Sequence, residues 1–254
     1  MAKSDKVILV TGGSRGIGAA VSRKAAALGH VVVVNYAGNA EAAEAVVSDI
    51  RSAGGNALAV QADVQNEADV LNLFAAADGL GTLAGLVNNA GVVDHPQRVD
   101  EMSAARLARM FSVNVIGSFL CAREAVRRMS TRHGGKGGAI VNLGSAASKL
   151  GAPNQYVDYA AAKGAIDSMT VGLALEVAEE GVRVNAVRPG IIDTEIHASG
   201  GLPDRVARIR SKLPMKRAGT ADEVADAILW LLSDKSSYTT GAILDVSGGR
   251  AILP

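Results

Sequence analysis

The chain has 254 residues, a formal net charge of +1 and 3% aromatic residues, which fits one large α/β domain and disfavours nucleic-acid and anionic-membrane partners. The single cysteine, Cys121, and four scattered histidines exclude an internal disulfide and predict no metal site. With a polar N-terminus and no apolar run of about 18 residues, we expect a cytoplasmic protein without a membrane span.

Short β-branched runs alternate with longer alanine-rich stretches along the whole chain. The runs predict seven strands buried on both faces: KVILVT, HVVVVN, NALAVQ, AGLVNN, GAIVNL, VRVNAV and AILDVS. The stretches between them predict helices, one after Ser14 and the others over residues 40–53, 65–77, 103–132, 156–180 and 221–232. This alternation predicts a Rossmann-type, doubly wound, parallel seven-stranded sheet with helices on both faces.

One long irregular segment, at about residues 190–215, interrupts this pattern. No proline-rich or serine-rich linker and no block of charge divides the chain, so we expect a single domain over residues 1–254. An irregular segment beside a sheet edge is typical of a substrate lid, and we predict that role for this one.

A glycine-rich loop follows the first predicted strand directly. Its sequence, TGGSRGIG, lacks both the G-x-G-x-x-G spacing and the lysine of a phosphate-binding P-loop. We expect Gly12 to allow a tight turn, Gly16 to let the backbone approach a pyrophosphate, and Gly18 to let the helix pack closely. Ser14, Arg15 and Ile17 complete this predicted cofactor-binding loop. The alternative is an ordinary tight strand-to-helix turn.

The end of the second predicted strand indicates which nicotinamide cofactor is preferred. It carries Asn35 and Tyr36, and no carboxylate occurs before Glu41 to bind the ribose 2′-hydroxyl of NAD. Arg15 in the glycine loop is close to where a 2′-phosphate would lie. We therefore predict NADP(H) in preference to NAD(H), with Arg15, Asn35 and Tyr36 among the cofactor-binding residues; a merely solvated Arg15 is the alternative.

The third predicted strand is followed by a further candidate for cofactor binding. Asp63 could accept a hydrogen bond from the adenine amino group, with Val64 beside it. An equally good interpretation makes Asp63 the N-cap of the helix that follows.

A tyrosine and a lysine at helical spacing suggest acid–base chemistry. Tyr159 and Lys163 lie four residues apart on the predicted helix after the fifth strand, so both side chains share one helix face. Ser145 lies at the carboxyl end of that strand, where doubly wound sheets bind ligands. Hydride reduction of a ketone creates an alkoxide that must be protonated. We expect the Lys163 ammonium to lower the pKa of Tyr159 from about 10, and Ser145 to stabilise the substrate oxygen.

These motifs together resemble the short-chain dehydrogenase/reductase family over nearly the full length of the chain. They occur in the family's order: TGGSRGIG, Asp63, NNAG at residues 88–91, Asn114 in SVNVIG, Ser145, YAAAK, and Pro189 with Gly190. The resemblance implies a catalytic tetrad of Asn114, Ser145, Tyr159 and Lys163. It also implies that cofactor is contacted by Tyr159 and Lys163 and by Asn88, Asn89, Ala90, Gly91, Pro189, Gly190, Ile192 and Thr194.

The resemblance carries further expectations about assembly and mechanism. Family members commonly form homotetramers through their two long helices and C-terminal strand, so we expect a homotetramer. In the family the lysine also holds the nicotinamide ribose, and the asparagine supports a water-linked proton relay. Structural alternatives for single residues are a helix cap for Ser145 and a helix bend for Asn114.

Two segments point to different substrates. The gap from Ser145 to Tyr159 is 14 residues, where 13 is commoner in the family. The extra residue falls in APNQYVDY, a segment similar to glucose dehydrogenase-like bacterial oxidoreductases. NYAGNAEAAEAV instead resembles 3-oxoacyl-[acyl-carrier-protein] reductases.

Two groups of basic residues could receive an anionic carrier protein or a phosphorylated substrate. One is on the predicted helix 103–132 and the other in the predicted lid: Arg123, Arg127, Arg128 and Arg132, and Arg205, Arg208, Arg210, Lys212, Lys216 and Arg217. Solvated helix faces are the alternative explanation.

We therefore expect an NADP(H)-dependent oxidoreductase that acts on a small-molecule carbonyl or secondary alcohol. A 3-oxoacyl-thioester reductase and a glucose-type sugar dehydrogenase remain open as narrower alternatives. A non-catalytic NADP-sensing or scaffold protein is the alternative from a different class.

Overall fold

Seven parallel strands form one sheet in the computed structural model, which describes residues 5–252. They are β1 (Lys6–Val10), β2 (Val31–Tyr36), β3 (Asn56–Gln61), β4 (Thr82–Asn88), β5 (Gly138–Leu143), β6 (Val182–Pro189) and β7 (Ile243–Val246). The spatial order is β3-β2-β1-β4-β5-β6-β7. All seven predicted strands and the doubly wound parallel topology are thereby confirmed.

Ten helices connect and flank the strands within the described residues. They are α1 (Gly16–Ala27), α2 (Ala40–Ser52), α3 (Glu67–Asp78), α4 (Ala104–Phe111), α5 (Gly117–Met129), α6 (Ala147–Leu150), α7 (Val157–Val177), α8 (Ile196–Ser199), α9 (Arg205–Ile209) and α10 (Ala221–Leu232). The predicted helix over 103–132 is divided, because a π-helical turn, Ser112–Ile116, separates α4 from α5. The lid segment holds the short helices α8 and α9.

The sheet is covered by helices on both faces, as the apolar strands predict. Along β1, Ile8 and Val10 pack into the core on the side of α1, α2 and α10, while Val7 and Leu9 pack into the core on the side of α3 and α5. All four are buried. Strict alternation of side chains on a strand sends successive residues to opposite faces, so a strand buried on both faces needs an unbroken apolar run.

The strand order reverses beside β1, and this reversal positions the site. β1 pairs with β2 on one side and with β4 on the other. The loops that follow β1 and β4 therefore diverge around a crevice at the carboxyl ends of the strands, where doubly wound sheets bind ligands.

Candidate active site

The glycine loop turns sharply between β1 and α1. Gly12 and Gly16 have φ angles of +59° and +50°, in the left-handed region that favours glycine. A Cβ on Gly18 would overlap the carbonyl oxygen of Gly12, so only glycine lets α1 begin so close to the loop. No side chain caps the start of α1, whose first-turn amides are available to an anion.

The buried side chain of Asn35 forms a hydrogen bond with the glycine loop. Its Oδ1 accepts a hydrogen bond from the Gly12 amide at 3.1 Å, and its Nδ2 donates to the Ala62 carbonyl at 2.9 Å. The side chain is only 2% exposed. This corrects the expectation that Asn35 lines the cofactor, because its polar atoms already bind the protein. Tyr36, the next residue, is half-buried at the end of β2.

Arg15 is largely exposed and forms an ion pair with the lid segment. Its Nη1 lies 3.5 Å from Oε2 of Glu195, and both side chains are exposed. The ion pair joins the start of α1 to the chain that follows β6. Arg15 therefore stands at the edge of the glycine loop, with a carboxylate as its present partner.

Asp63 does not cap a helix. Its carboxylate accepts hydrogen bonds from the backbone and side chain of Gln65, while Asn66 caps α3 by accepting from the Ala68 amide at 2.9 Å. The N-cap interpretation of Asp63 is therefore wrong. Val64 beside it is buried.

The loop after β4 is fastened to the glycine loop by Asn89. Its Nδ2 donates to the carbonyls of Thr11 and Gly12 at 2.9 and 2.8 Å, and the Thr11 hydroxyl accepts from the amides of Asn89 and Ala90. Asn88, in contrast, is 4% exposed and donates to Ser118 and Asn142 inside the core. Asn88 is therefore a packing residue, which corrects the expectation that it lines the cofactor.

A cavity of about 490 Å³ lies at the carboxyl ends of the strands. Ten residues predicted from the sequence contribute to its wall: Ile17, Asn89, Gly91, Ser145, Tyr159, Lys163, Pro189, Gly190, Ile192 and Thr194. The other glycine-loop residues, with Tyr36, Asp63, Val64 and Ala90, lie outside this wall. The cavity thus connects the start of α1 with the tyrosine, serine and lysine.

Ser145 and Tyr159 both lie on the wall of this cavity. Burial raises the pKa of Tyr159 above its ordinary value, while the neighbouring Ser145 and the charge of Arg205 oppose that rise. The expectation of a lowered Tyr159 pKa is therefore wrong for this arrangement, in which desolvation of the phenolate dominates. Ser145 Oγ also accepts from the Ala147 amide at 3.1 Å, so it fastens the start of α6 as well.

Lys163 lies below the tyrosine on the same face of α7. Its Nζ is 5.6 Å from the centre of the Tyr159 ring and donates to the Leu143 carbonyl at 2.7 Å. Burial lowers the pKa of Lys163 to about 8, against the opposing charge of Asp167. The lysine is thus fixed between the end of β5 and the tyrosine.

Asn114 occupies the π-helical turn and is completely buried. Its Nδ2 donates to the carbonyls of Val92 and Met110, and its Oδ1 accepts from the Val92 amide at 3.1 Å. A Cβ on Gly91 would lie 2.7 Å from that Oδ1. The side chain does not line the cavity, so the helix-bend interpretation describes it and Asn114 acts as a positioning residue for the loop after β4.

Several residues of the cavity wall were not predicted from the sequence. They are Val93, Leu150, Ala152, Pro153, Gln155, Tyr156, Ile191, Ile196, Gly200, Arg205 and Arg250, together with backbone neighbours of Ser145. The extra residue between Ser145 and Tyr159 was a usable signal, because Ala152, Pro153 and Gln155 come from that segment. Arg205 was noticed only as part of a basic group, and no sequence signal pointed to Arg250.

The arginines of α5 are paired with carboxylates. Arg123, Arg127 and Arg128 surround the buried Glu124, at 3.1, 2.8 and 2.9 Å. Arg123 also pairs with Glu67 and Arg128 with Asp78. Although burial opposes it, these arginines hold the pKa of Glu124 below its ordinary value. Arg127 and Arg132 are 55% and 76% exposed, so the solvated-face alternative describes these two members of the group.

The described residues form neither a membrane-spanning helix nor a metal-binding cluster. Between residues 5 and 252, no helix has the length and apolar composition that crossing a membrane requires. Over the same residues, no three His, Cys, Asp or Glu side chains come together in a group that could hold a metal ion.

Known proteins resemble this chain over its whole length. Residues 12–251 match the family model described as enoyl-(acyl carrier protein) reductase, of the adh_short_C2 type. The oxidoreductase YgfF of Escherichia coli is 55% identical over 96% of this chain and 99% of its own length. Glucose 1-dehydrogenase 2 of Bacillus subtilis is 38% identical over 98% of this chain and 96% of its own.

A solved structure of a short-chain dehydrogenase/reductase also resembles this chain over nearly its whole length. A double mutant of a short-chain dehydrogenase/reductase from Serratia marcescens superposes with a TM-score of 0.90 at 34% identity, covering 99% of this chain and 100% of that one. The fold, the glycine loop, the tyrosine–lysine pair and these relatives agree. The chain belongs to the short-chain dehydrogenase/reductase family of oxidoreductases.

Proposed function

We propose that the protein is an NADP(H)-dependent oxidoreductase that transfers a hydride between the nicotinamide and a carbonyl or secondary alcohol. One observation carries this proposal: Ser145, Tyr159 and Lys163 line a single cavity whose other wall includes Ile17 of the first turn of α1. Acid–base groups and an anion-binding helix start therefore face the same space. The enzyme class is that of dehydrogenases acting on CH–OH groups.

The loop after β1 suits a dinucleotide. A Cβ on Gly16 would lie 3.3 Å from Cγ2 of Thr194, so the glycine leaves open a cradle between α1 and the lid. The uncapped amides of α1 would bind the pyrophosphate there, with Gly12, Ser14 and Gly16 around it. Asn89, Ala90, Gly91, Pro189, Gly190, Ile192 and Thr194 would line the remainder. When bound, the cofactor supplies or accepts the hydride.

The chain's own residues would handle the proton. In the reducing direction the Tyr159 hydroxyl gives its proton to the substrate oxygen, and in the oxidising direction it takes that proton back. The Ser145 hydroxyl donates to the same oxygen and stabilises its developing charge. The Lys163 ammonium stabilises the phenolate formed after proton release. Asn114 holds the loop that carries Gly91 in place.

The NADP(H) preference rests on charge at the end of β2. No carboxylate occurs from Asn35 to Ala40 to repel a 2′-phosphate, and the glycine loop carries the cation Arg15. Its partner Glu195 belongs to the lid, so the ion pair would exchange for a phosphate when the lid segment moves. We propose that residues 190–215 act as this lid, since Ile191, Ile192, Thr194 and Ile196 cover the cavity.

A homotetramer is the proposed assembly. Large apolar side chains are exposed along the outer faces of α5, the π-helical turn and α7: Ile116, Phe119, Val171 and Leu175. A second copy packing its own α5 and α7 on this face would bury them. Light scattering on the purified protein tests this: a monomer at micromolar concentration would contradict it.

A substrate panel tests the enzymatic proposal. Purified protein is mixed with NADPH and aldehydes, diketones, cyclic ketones, sugars and acetoacetyl thioesters, and nicotinamide absorbance is followed. We expect turnover of at least one carbonyl class. Tight NADPH binding without turnover of any member would favour the sensing or scaffold alternative, which the juxtaposition of Tyr159 with Lys163 argues against.

A further inference from the structure

Two guanidinium groups reach the cavity from separate elements. Arg205 is the first residue of α9, and Arg250 begins the C-terminal 3-10 turn Arg250–Ile252. Both are half-buried and both line the cavity wall. The C-terminal turn packs against α6, the helix that follows Ser145.

Neither guanidinium is neutralised by a carboxylate of the described chain. Elsewhere in and around the lid, Arg208 pairs with Asp204 at 2.6 Å and Arg217 with Glu223 at 2.7 Å. Within residues 5–252, Arg205 and Arg250 form no ion pair with any carboxylate. Burial, and after it the charge of Arg205, lowers the pKa of Arg250 below its ordinary value. Like charges placed together in a partly desolvated wall destabilise the protein unless an anion joins them.

Arg205 is held in place by an aromatic ring. Its guanidinium carbon lies 5.0 Å from the centre of the Tyr156 ring, three residues before Tyr159. The charge of Arg205 also acts on the hydroxyl of Tyr159. Stacking on an aromatic face orients the planar guanidinium while leaving its N–H groups free to bind an oxyanion. Arg205 therefore lies on the cavity wall with its guanidinium oriented by Tyr156 and its charge acting on Tyr159.

We propose that the substrate carries an anionic group, which Arg205 and Arg250 bind while the carbonyl or carbinol carbon lies beside Tyr159 and Ser145. An oxo acid or hydroxy acid is the simplest compound of this class, and a phosphorylated ketone shares its chemistry. The inference rests on the proposed oxidoreductase function, whose substrate class it narrows. The apolar remainder of the wall, including Leu150, Ile191 and Ile196, would contact the carbon chain between the two ends.

Matched pairs of acids and amides test the inference. The wild-type protein with NADPH is given 4-oxopentanoate, 5-oxohexanoate and 6-oxoheptanoate, each beside its primary amide, and dihydroxyacetone phosphate beside dihydroxyacetone. We expect kcat/KM at least tenfold higher for one anion than for its neutral partner. In Arg250→Gln this ratio should fall at least tenfold, chiefly through KM, and Arg250→Lys should restore part of it. Arg210→Gln removes an exposed charge of the same lid outside the cavity and should leave the ratio unchanged.

Each result has one interpretation. Equal kcat/KM for anions and neutral partners overturns the inference while leaving the oxidoreductase proposal intact. A loss of NADPH affinity in Arg250→Gln as large as the loss for the anion also overturns it, because the arginine would then serve the cofactor. If none of these compounds is reduced while a member of the broader carbonyl panel is, the inference is overturned and the oxidoreductase proposal stands; if no compound of either set is reduced, the proposed function fails. Calorimetric titration of the same acids into the NADP⁺ complex still decides the arginine site, since wild type should bind them and Arg250→Gln should bind at least tenfold more weakly.

Discussion

The ammonium nitrogen of Lys163 lies 5.6 Å from the centre of the Tyr159 ring, one helical turn further along α7. Burial acts on both groups in the direction of the uncharged form: it raises the pKa of Tyr159 and lowers that of Lys163 to about 8. The Leu143 carbonyl fixes the lysine at 2.7 Å from the other side. Two ionisable groups are therefore kept out of water beside a cavity, which is an arrangement found where proton transfer is needed.

The lowered pKa of Lys163 makes stability depend on pH in a defined direction. In the unfolded chain Lys163 titrates near 10.5, and in the folded protein at about 8. Between these values the unfolded chain holds a proton that the folded protein has released, so the contribution of Lys163 to stability rises with pH. Below about pH 8 the buried charge destabilises the fold.

Lys163→Met removes this titration. We therefore compare the free energy of unfolding of Lys163→Met with that of wild type. The value for the variant minus the value for wild type should be largest near pH 7 and should become smaller as the pH rises from about 8 to 9.5. Urea unfolding across this range measures it, and Lys235→Met, at an exposed site, is the control. A difference that stays constant over the whole range contradicts the burial of a titrating lysine.

A buried ion pair supports the start of α7. Arg106 Nε donates to Asp158 at 2.8 Å, and the Asp158 carboxylate also accepts from the Tyr159 amide at 2.9 Å. Their side chains are 8% and 0% exposed. Arg106→Ala leaves the carboxylate buried without its partner, and we expect a loss of about 3–5 kcal/mol in the free energy of unfolding.

Arg109→Ala is the matched comparison on the same helix. Arg109 pairs with Asp94 at 3.4 Å from a side chain that is 57% exposed, so its removal should cost less than about 1 kcal/mol. Urea unfolding of both variants gives the values. Equal effects of the two substitutions would show that burial of the Arg106–Asp158 pair is unimportant.

Much of the fold was predictable because local patterns determine it. The seven apolar runs form the seven strands. In the glycine loop, Gly12 and Gly16 have positive φ angles and Gly18 lies too close to the Gly12 carbonyl to carry a Cβ. The break at Ser112–Ile116 was anticipated only as an alternative, a bend at Asn114, and its π-helical form could not be predicted because Asn114 there bonds to Val92, 22 residues earlier. A helical sequence pattern continues through the break without a signal.

Residues of the candidate site could be predicted where they belong to a recognisable sequence motif. They could not be predicted where tertiary packing determines whether a side chain reaches the cavity. Ser145, Tyr159 and Lys163 line the cavity as expected. Asn35 and Asn88 carry the same amide as Asn89, yet their side chains bind the core, and only the three-dimensional structure distinguishes them. Arg250 follows two glycines in a segment without any pattern, and the folded C-terminal turn alone brings it to the cavity.

The loop before α7 contains a residue in an unfavourable backbone conformation. Ala152 has a φ of +45°, in the left-handed region where a Cβ costs about 1–2 kcal/mol. Ala152→Gly should therefore raise the free energy of unfolding, by about 0.5–1 kcal/mol after the added flexibility of the unfolded chain is counted. Ala53→Gly, at a φ of −83°, should lower it. A destabilised Ala152→Gly variant would show that this conformation carries no strain.

The Arg15–Glu195 pair offers a two-sided test of cofactor preference. Arg15→Ala should weaken NADPH binding at least tenfold while changing NADH binding little, because only NADPH carries the 2′-phosphate. Glu195→Gln should strengthen NADPH binding by about twofold to fivefold, since the competing carboxylate is removed. Fluorescence titration of both nucleotides measures this. Equal affinities of wild type for NADPH and NADH would refute the argument from charge.

Turnover by Tyr159→Phe measures the central claim most directly. The phenyl ring keeps the packing of α7 but has no proton to exchange with the substrate oxygen. With the best carbonyl compound of the panel, we predict that kcat falls at least 10³-fold while the dissociation constant for NADPH changes by less than about threefold. A variant that retains a tenth or more of wild-type kcat would contradict Tyr159 as the acid–base group.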